Sequence, residues 1–183
     1  MDDFPYRKNL SLQMLEEGFH IFKLRFLYFG SYALRLYEPE KLKSFSPPDI
    51  DLLVDNDKEK LLSLAKYLHQ KSWEVRIWGE EYRDDWDPSY LEGKFYMRLK
   101  YITEDQKLST LDITYESPYL NFSRSYAEKE DRYGYPLCSL KDLWYLKLLK
   151  NSEKALAFAK EHALIIPKQS KKSAKSWKIT GQR

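Results

Sequence analysis

Two stretches decide the fold of this 183-residue chain: Phe29-Gly30-Ser31-Tyr32-Ala33-Leu34 and, after a gap broken by Pro39, Pro47 and Pro48, the run Asp49-Ile50-Asp51-Leu52-Leu53-Val54. In the first, the apolar run Phe26 to Phe29 reads as a buried strand that turns sharply at Gly30-Ser31. A short helix is predicted over Tyr32 to Tyr37. In the second, acid and apolar residues alternate, which is strand-like. Successive side chains on a strand leave by opposite faces, so Asp49 and Asp51 would share one face with Cα atoms roughly 6.5–7 Å apart. Ile50, Leu52 and Val54 would face the core.

Outward from these stretches the periodicity predicts further elements. Leu10, Met14, Leu15, Phe19 and Phe22 recur at helical spacing, in a helix expected to begin near Ser11. Lys58 to Gln70 reads as an amphipathic helix with Leu61, Leu62, Ala65 and Leu68 on one side. Trp73 to Trp78 reads as a strand and residues 79–92 as a loop. From Lys94 to Ile102, Phe95, Met97, Leu99 and Tyr101 alternate with Lys94, Tyr96, Arg98 and Lys100. A hairpin connection at Thr103 to Lys107 then leads to a returning strand, Leu108 to Tyr115. Ser139 begins a helix with Asp142 as its capping-box partner, and Ser152 is expected to cap a last helix ending near Ala163. The sum is an α+β fold: a small mixed sheet flanked by helices, with C-terminal helices. The expected organisation is a domain over 1–138, two helices packed on it over 139–166, and a basic, mobile tail over 167–183.

Composition narrows the class. With 43% hydrophobic and 32% charged residues the chain is of globular type. No apolar run approaches the roughly 20 residues a membrane span requires. The acidic start, Met-Asp-Asp-Phe-Pro, lacks the layout of a signal peptide. A single cysteine, Cys138, allows no internal disulfide and no four-cysteine zinc site, so a cytoplasmic setting is expected. Its apolar surroundings suit a buried structural thiol better than a nucleophile. From Pro167 onward there are five lysines, one arginine and no acid, leaving 25 basic and 28 acidic residues for the body. The tail could hold nucleic acid by charge, with Trp177 stacking on a base; basic termini also occur without such a role.

The candidate chemistry lies in the carboxylates. Hard divalent cations take oxygen ligands, and two-metal phosphoryl chemistry places ions about 3.5–4 Å apart. Asp49 and Asp51 could grip such ions. Asp112, on the polar face of Thr110-Leu111-Asp112-Ile113-Thr114, is the candidate third ligand. Asp-x-Asp is common on surface strands, so the tripeptide alone leaves a solvated face open. The Gly30-Ser31 turn adds backbone N–H groups and a hydroxyl at a helix start, which suits phosphate oxygens. His20, His69 and His162 lack metal-ligand spacing, and no P-loop, zinc-protease or nucleophile-elbow motif occurs.

Gly30-Ser31, then Asp49-x-Asp51, then a lone Asp112 together resemble the nucleotidyltransferase superfamily that includes DNA polymerase beta. The stretch Phe-Gly-Ser-Tyr-Ala-Leu-Arg-Leu-Tyr … Asp-Ile-Asp-Leu-Leu-Val looks most like the small bacterial members, the antibiotic and abortive-infection nucleotidyltransferases. The resemblance covers roughly residues 10–150. It implies that Gly30 and Ser31 hold the triphosphate of ATP or another NTP. It also implies that Asp49, Asp51 and Asp112 bind two Mg²⁺ (or Mn²⁺), and that a nucleoside monophosphate passes to a hydroxyl of a small molecule, RNA or protein. Lys147, on the apolar stripe of the Ser139 helix, either snorkels or reaches the phosphates. Arg98 either meets a phosphate or base or lies on a solvated strand face. The gap from Ser31 to Asp49 is longer than in many members. The arginine-lysine-aspartate stretch that many relatives carry after this helix reads Asn151-Ser152-Glu153-Lys154 here. The alternatives are a non-catalytic toxin–antitoxin or regulatory module on the same fold, and a nucleic-acid-binding protein acting through its tail.

Overall fold

The computed structural model describes residues 8–102 and 108–168. In chain order the elements are α1 (Leu10–Ile21), β1 (Phe26–Phe29), α2 (Gly30–Tyr37), β2 (Ile50–Val54), α3 (Lys58–Gln70), β3 (Glu74–Ile77) and β4 (Glu80–Glu81). A 3₁₀ turn at Pro88–Leu91 follows. Then come β5 (Tyr96–Ile102), β6 (Leu108–Thr114), α4 (Phe122–Ala127), β7 (Glu130–Arg132), β8 (Tyr135–Leu137), α5 (Leu140–Lys150) and α6 (Ser152–Glu161). The architecture is mixed α/β. One mixed sheet of eight strands runs in the order β4-β3-β5-β6-β2-β1-β8-β7, with six α-helices among the described residues. The pairs β2–β6 and β1–β8 are parallel, and the other pairings are antiparallel.

Alternation along the strands sorts the sheet into two faces. Val75, Ile77, Met97, Leu99, Leu111, Ile113, Leu52 and Val54 are buried. They form one core with the apolar side of α3, which buries Leu61, Leu64, Ala65 and Leu68. Leu64 takes the core position expected of Leu62, because the stripe of a 3.6-residue helix passes through 61, 64, 65 and 68. Helix α3 in turn lies close to α1 at Gly18, where a Cβ would come within 2.7 Å of Leu64 Cδ1. Truncating a core leucine such as Leu68 would cost on the order of 2–5 kcal/mol.

Several local expectations are corrected. The sheet is larger than expected because residues 116–138, which carried no clear period, form α4, β7 and β8. Strands of three residues are too short to show alternation. Asp49 lies in a bend one residue before β2 rather than within the strand. Phe95, expected on the inward side, precedes β5 and is 39% exposed. Residues 79–92 contain β4 and the 3₁₀ turn. The last helix is capped by Asn151, whose Oδ1 accepts the Lys154 N–H at 3.0 Å, and not by Ser152. Ser152 is already the first helical residue, one position past the cap. The Ser139 cap is present, with Oγ accepting the Asp142 N–H at 3.3 Å. The Asp142 carboxylate does not close the box. It is buried and accepts from Ser125 Oγ at 3.1 Å and Arg124 Nη2 at 3.3 Å, which ties α5 to α4. The hairpin at 103–107 and the tail from 169 onward lie outside the described residues. Cys138 is fully buried, and burial pushes its thiol up to about 12. Among the described residues no helix is long and apolar enough to cross a membrane.

Candidate functional site

One straight row of side chains crosses the sheet. Phe29 of β1 is paired with Asp51 of β2, Asp51 with Asp112 of β6, Asp112 with Arg98 of β5, and Arg98 with Arg76 of β3. Residues directly opposite one another on neighbouring strands project from the same face. Register alone therefore brings Asp51 and Asp112, 61 positions apart in sequence, onto neighbouring strands of one face, with Asp49 just before them on the same chain segment.

The Gly30 turn closes against this row. Gly30 begins α2 at φ +71°, a conformation that favours glycine. A Cβ there would overlap an Asp51 carboxylate oxygen and stand 2.9 Å from its Cγ. Glycine is therefore required twice at this position, for its backbone angle and for the room that the carboxylate occupies. No side chain caps the N-terminus of α2 and no acid lies in its first turn. The N–H groups of a helix start have no partner within the helix and its dipole is positive there, and this start is seated against the Asp51 carboxylate.

Helix α5 supplies the opposite wall. Lys147 Nζ donates to Ser31 Oγ at 3.1 Å and stands 4.5 Å from the centre of the Phe158 ring. The Lys147 ammonium lies beside the Gly-Ser turn. A cleft of about 160 Å³ is bounded by Gly30, Ser31, Asp51, Lys147 and Lys150. Lys150 was not singled out in the sequence. The available signal was its place three residues after Lys147, where a helix presents both on one side.

The electrostatics of the cleft are unbalanced. Burial, then repulsion from Asp49 and from Asp112, raises the Asp51 carboxyl from 3.8 to about 7, against the pull of Lys150 and Lys147. Burial lowers the Lys147 ammonium, Asp51 opposes this, and Lys150 adds to it. Asp112 is treated differently. Arg98 grips both its oxygens, Nε to Oδ1 at 2.8 Å and Nη2 to Oδ2 at 2.7 Å. This bidentate pair raises the arginine further. Arg98 thus pairs with a carboxylate on a strand face that stays open to solvent, its side chain 44% exposed.

As a donor set, Asp49, Asp51 and Asp112 are all oxygen and suit a hard cation. Negative charge at Asp51 is left without a counter-charge of its own. Among the described residues, however, no three His, Cys, Asp or Glu side chains are drawn together tightly enough to hold a metal ion. Asp112 commits both oxygens to Arg98. The three histidines do not meet: His69 lies against Tyr82, and His162 against Phe158 and Phe45. The aromatic segment 82–88 is anchored, with Tyr82 buried and Trp86 stacked on Tyr90 at 3.6 Å. That makes it an anchored surface loop between β4 and the 3₁₀ turn.

No protein-family model matches this chain, and no curated protein matches it in sequence.

Proposed function

We propose that this chain is a Mg²⁺-dependent nucleotidyltransferase with a polymerase-beta-like catalytic fold, transferring a nucleoside monophosphate from an NTP to a hydroxyl acceptor and releasing pyrophosphate. One observation carries the reading. An uncapped helix start with an obligatory glycine is seated against Asp51, and Asp112 lies in register beside it.

In this reading the triphosphate enters the cleft between α2 and α5. The N–H groups at the start of α2 and the Ser31 hydroxyl meet its oxygens. Lys147 exchanges its bond to Ser31 for a phosphate oxygen, and Lys150 adds a second positive charge at the cleft wall. Asp49, Asp51 and Asp112 would hold Mg²⁺, which when bound neutralises phosphate charge and stabilises the leaving oxygen. Asp112 leaves Arg98 to do so, and stands nearest the acceptor hydroxyl as the group that takes its proton. Most of the acceleration comes from positioning and charge.

The test is calorimetric titration with ATP, GTP, CTP and UTP in the presence of Mg²⁺, followed by a transfer assay with labelled NTP. Binding that disappears in Asp51→Asn supports the reading, and binding indifferent to Asp49 and Asp51 removes it. The grip of Arg98 on Asp112 favours a second reading, a non-catalytic binding module on the same fold. NTP binding without any transfer or hydrolysis would select that one.

A further inference from the structure

A second cleft opens beside the acidic one. It has a volume of about 390 Å³ and shares Phe29, Leu146 and Lys150 with its neighbour. Leu53 borders it, two residues beyond Asp51 on β2 and on the same face, roughly 7 Å along the strand. Helix α5 contributes Leu149 as well as Leu146, and the loop between β6 and α4 contributes Tyr119 and Leu120. Leu53 and Leu120 are buried, whereas Tyr119 is 47% exposed and has ring surface for a ligand to cover. Besides the Tyr119 hydroxyl, the polar side chains bordering the cleft among the described residues are Ser117 and Lys150. Ser117 Oγ accepts the N–H groups of Tyr119 and Leu120 at 3.2 Å each, which shapes the loop and leaves one hydroxyl hydrogen to donate. Lys150 stands where the two clefts meet, and its charge acts on Asp51.

The two clefts suit the two halves of one molecule. The first, with its Gly-Ser turn, carboxylates and two lysines, suits phosphates and their cation. The second is lined chiefly by apolar side chains, has the size of a small-molecule pocket, and carries an aromatic ring at its border. A ligand that fills both is anionic at one end, flat and largely apolar at the other, and joined by a short linker. A nucleoside triphosphate has that build: its ribose connects the phosphates to a base whose π-face stacks on an aromatic ring.

We propose that the apolar cleft takes the base of the NTP and selects it by ring size, purine over pyrimidine, without telling adenine from guanine. This rests on the nucleotidyl-transfer reading of the acidic cleft. Preference for a purine follows from contact area, because two fused rings cover more of Leu53, Leu149 and Tyr119 than one ring does. Indifference between the purines follows from the scarcity of polar groups. Strong discrimination requires buried donors and acceptors matched to the ligand's own. The hydroxyl hydrogen of Ser117 meets a ring nitrogen of either purine equally well. Lys150, at the junction, stays with the ribose and the phosphates.

The experiment is calorimetric titration of the full chain, with Mg²⁺, against ATP, GTP, CTP, UTP and inorganic tripolyphosphate, which fills the acidic cleft alone. ATP and GTP should agree within about threefold and bind about tenfold more tightly than CTP and UTP. Tyr119→Ala, at an exposed position, should weaken ATP and GTP about tenfold and leave tripolyphosphate unchanged. Leu149→Trp, which fills the cleft from α5, should bring ATP down to the level of tripolyphosphate. Three results overturn the base assignment while tripolyphosphate binding upholds the acidic cleft: ATP binding no tighter than tripolyphosphate, one NTP preferred by about a hundredfold or more, or purine binding that both variants leave intact, as a cleft occupied by the acceptor would give. If neither tripolyphosphate nor any NTP binds, the transfer reading has failed and the base assignment falls with it.

Discussion

Asp51 and Asp112 are the same residue type, on adjacent strands, in register and on one face, yet the molecule treats them oppositely. Asp112 has a dedicated guanidinium on the next strand, held by two short hydrogen bonds. Asp51 has none. It is packed against the Gly30 turn, repelled by two other carboxylates, and faced across a cleft by two lysines whose pull does not restore its ordinary ionisation. A fold that pairs one carboxylate with a guanidinium and leaves its neighbour beside like charge concentrates negative potential at that neighbour. Structural ion pairs look like Asp112. Sites waiting for a cation or for a phosphate-bearing ligand look like Asp51.

The largest effect that could break this contrast is on the proposed transfer. Asp51→Asn keeps the volume and removes the charge, and is expected to lower turnover of labelled NTP into product by at least about 10²–10³-fold. Full activity in that variant would put Asp51 with the structural acids. Next in size is a pH effect. The Asp51 carboxyl is raised from 3.8 to about 7 in the folded chain, so the folded state binds the proton more tightly than the unfolded one. Its contribution to stability is therefore fully present below about pH 3.8 and is lost as pH rises through about 7. Asn mimics the protonated form. In urea melts with a chelator, Asp51→Asn should match the wild type near pH 4 and exceed it by a few kcal/mol near pH 8, on the order given by a three-unit shift. Equal curves at both pH values would show that Asp51 carries no such strain.

Part of this arrangement was legible in the sequence, and the division has physical causes. Strand alternation marked the face of Asp51, and the lone acid in Leu111-Asp112-Ile113 marked the polar side of another strand, because local periodicity reports faces; Asp49 falls in the bend before β2, outside that alternation. The Gly-Ser turn was legible for the same reason, since its backbone requirement is local. What periodicity cannot carry is register. That Asp112 meets Arg98 as well as Asp51 is a fact about pairing of β5, β6 and β2, decided by long-range packing. Lys147 was ambiguous between snorkelling and phosphate contact, because the stripe of α5 names a side of the helix and not what lies against it. Segments α4, β7 and β8 fell below the length at which a period can be recognised.

A third test bears on the turn that holds Asp51 in place. Gly30→Ala adds a Cβ at φ +71° into space held by the Asp51 carboxylate. Backbone strain and displacement of a buried acid together should cost about 1–3 kcal/mol, a drop of several degrees in Tm. The loss should be partly relieved in the double variant with Asp51→Ala, since the clashing oxygen is then gone. Additive losses in calorimetric melts would show that the two residues do not touch in solution.

The smallest stability effect sharpens the comparison most, because it asks whether Asp112 can be made to behave like Asp51. Arg98 is 44% exposed, and pairs of that kind contribute about 0–1 kcal/mol. Arg98→Gln should therefore leave the urea midpoint nearly unchanged. Binding should respond more than folding does. With its guanidinium gone, Asp112 has both oxygens available beside Asp51, and Mn²⁺ measured by calorimetry or electron paramagnetic resonance should bind several-fold more tightly than to the wild type. An Arg98→Lys variant, which keeps the charge but loses the two-pronged grip, should fall between the two. Unchanged Mn²⁺ affinity across the three proteins would mean that the arginine does not compete for Asp112 at all. The contrast between the two carboxylates would then be one of position in the sheet rather than of counter-charge.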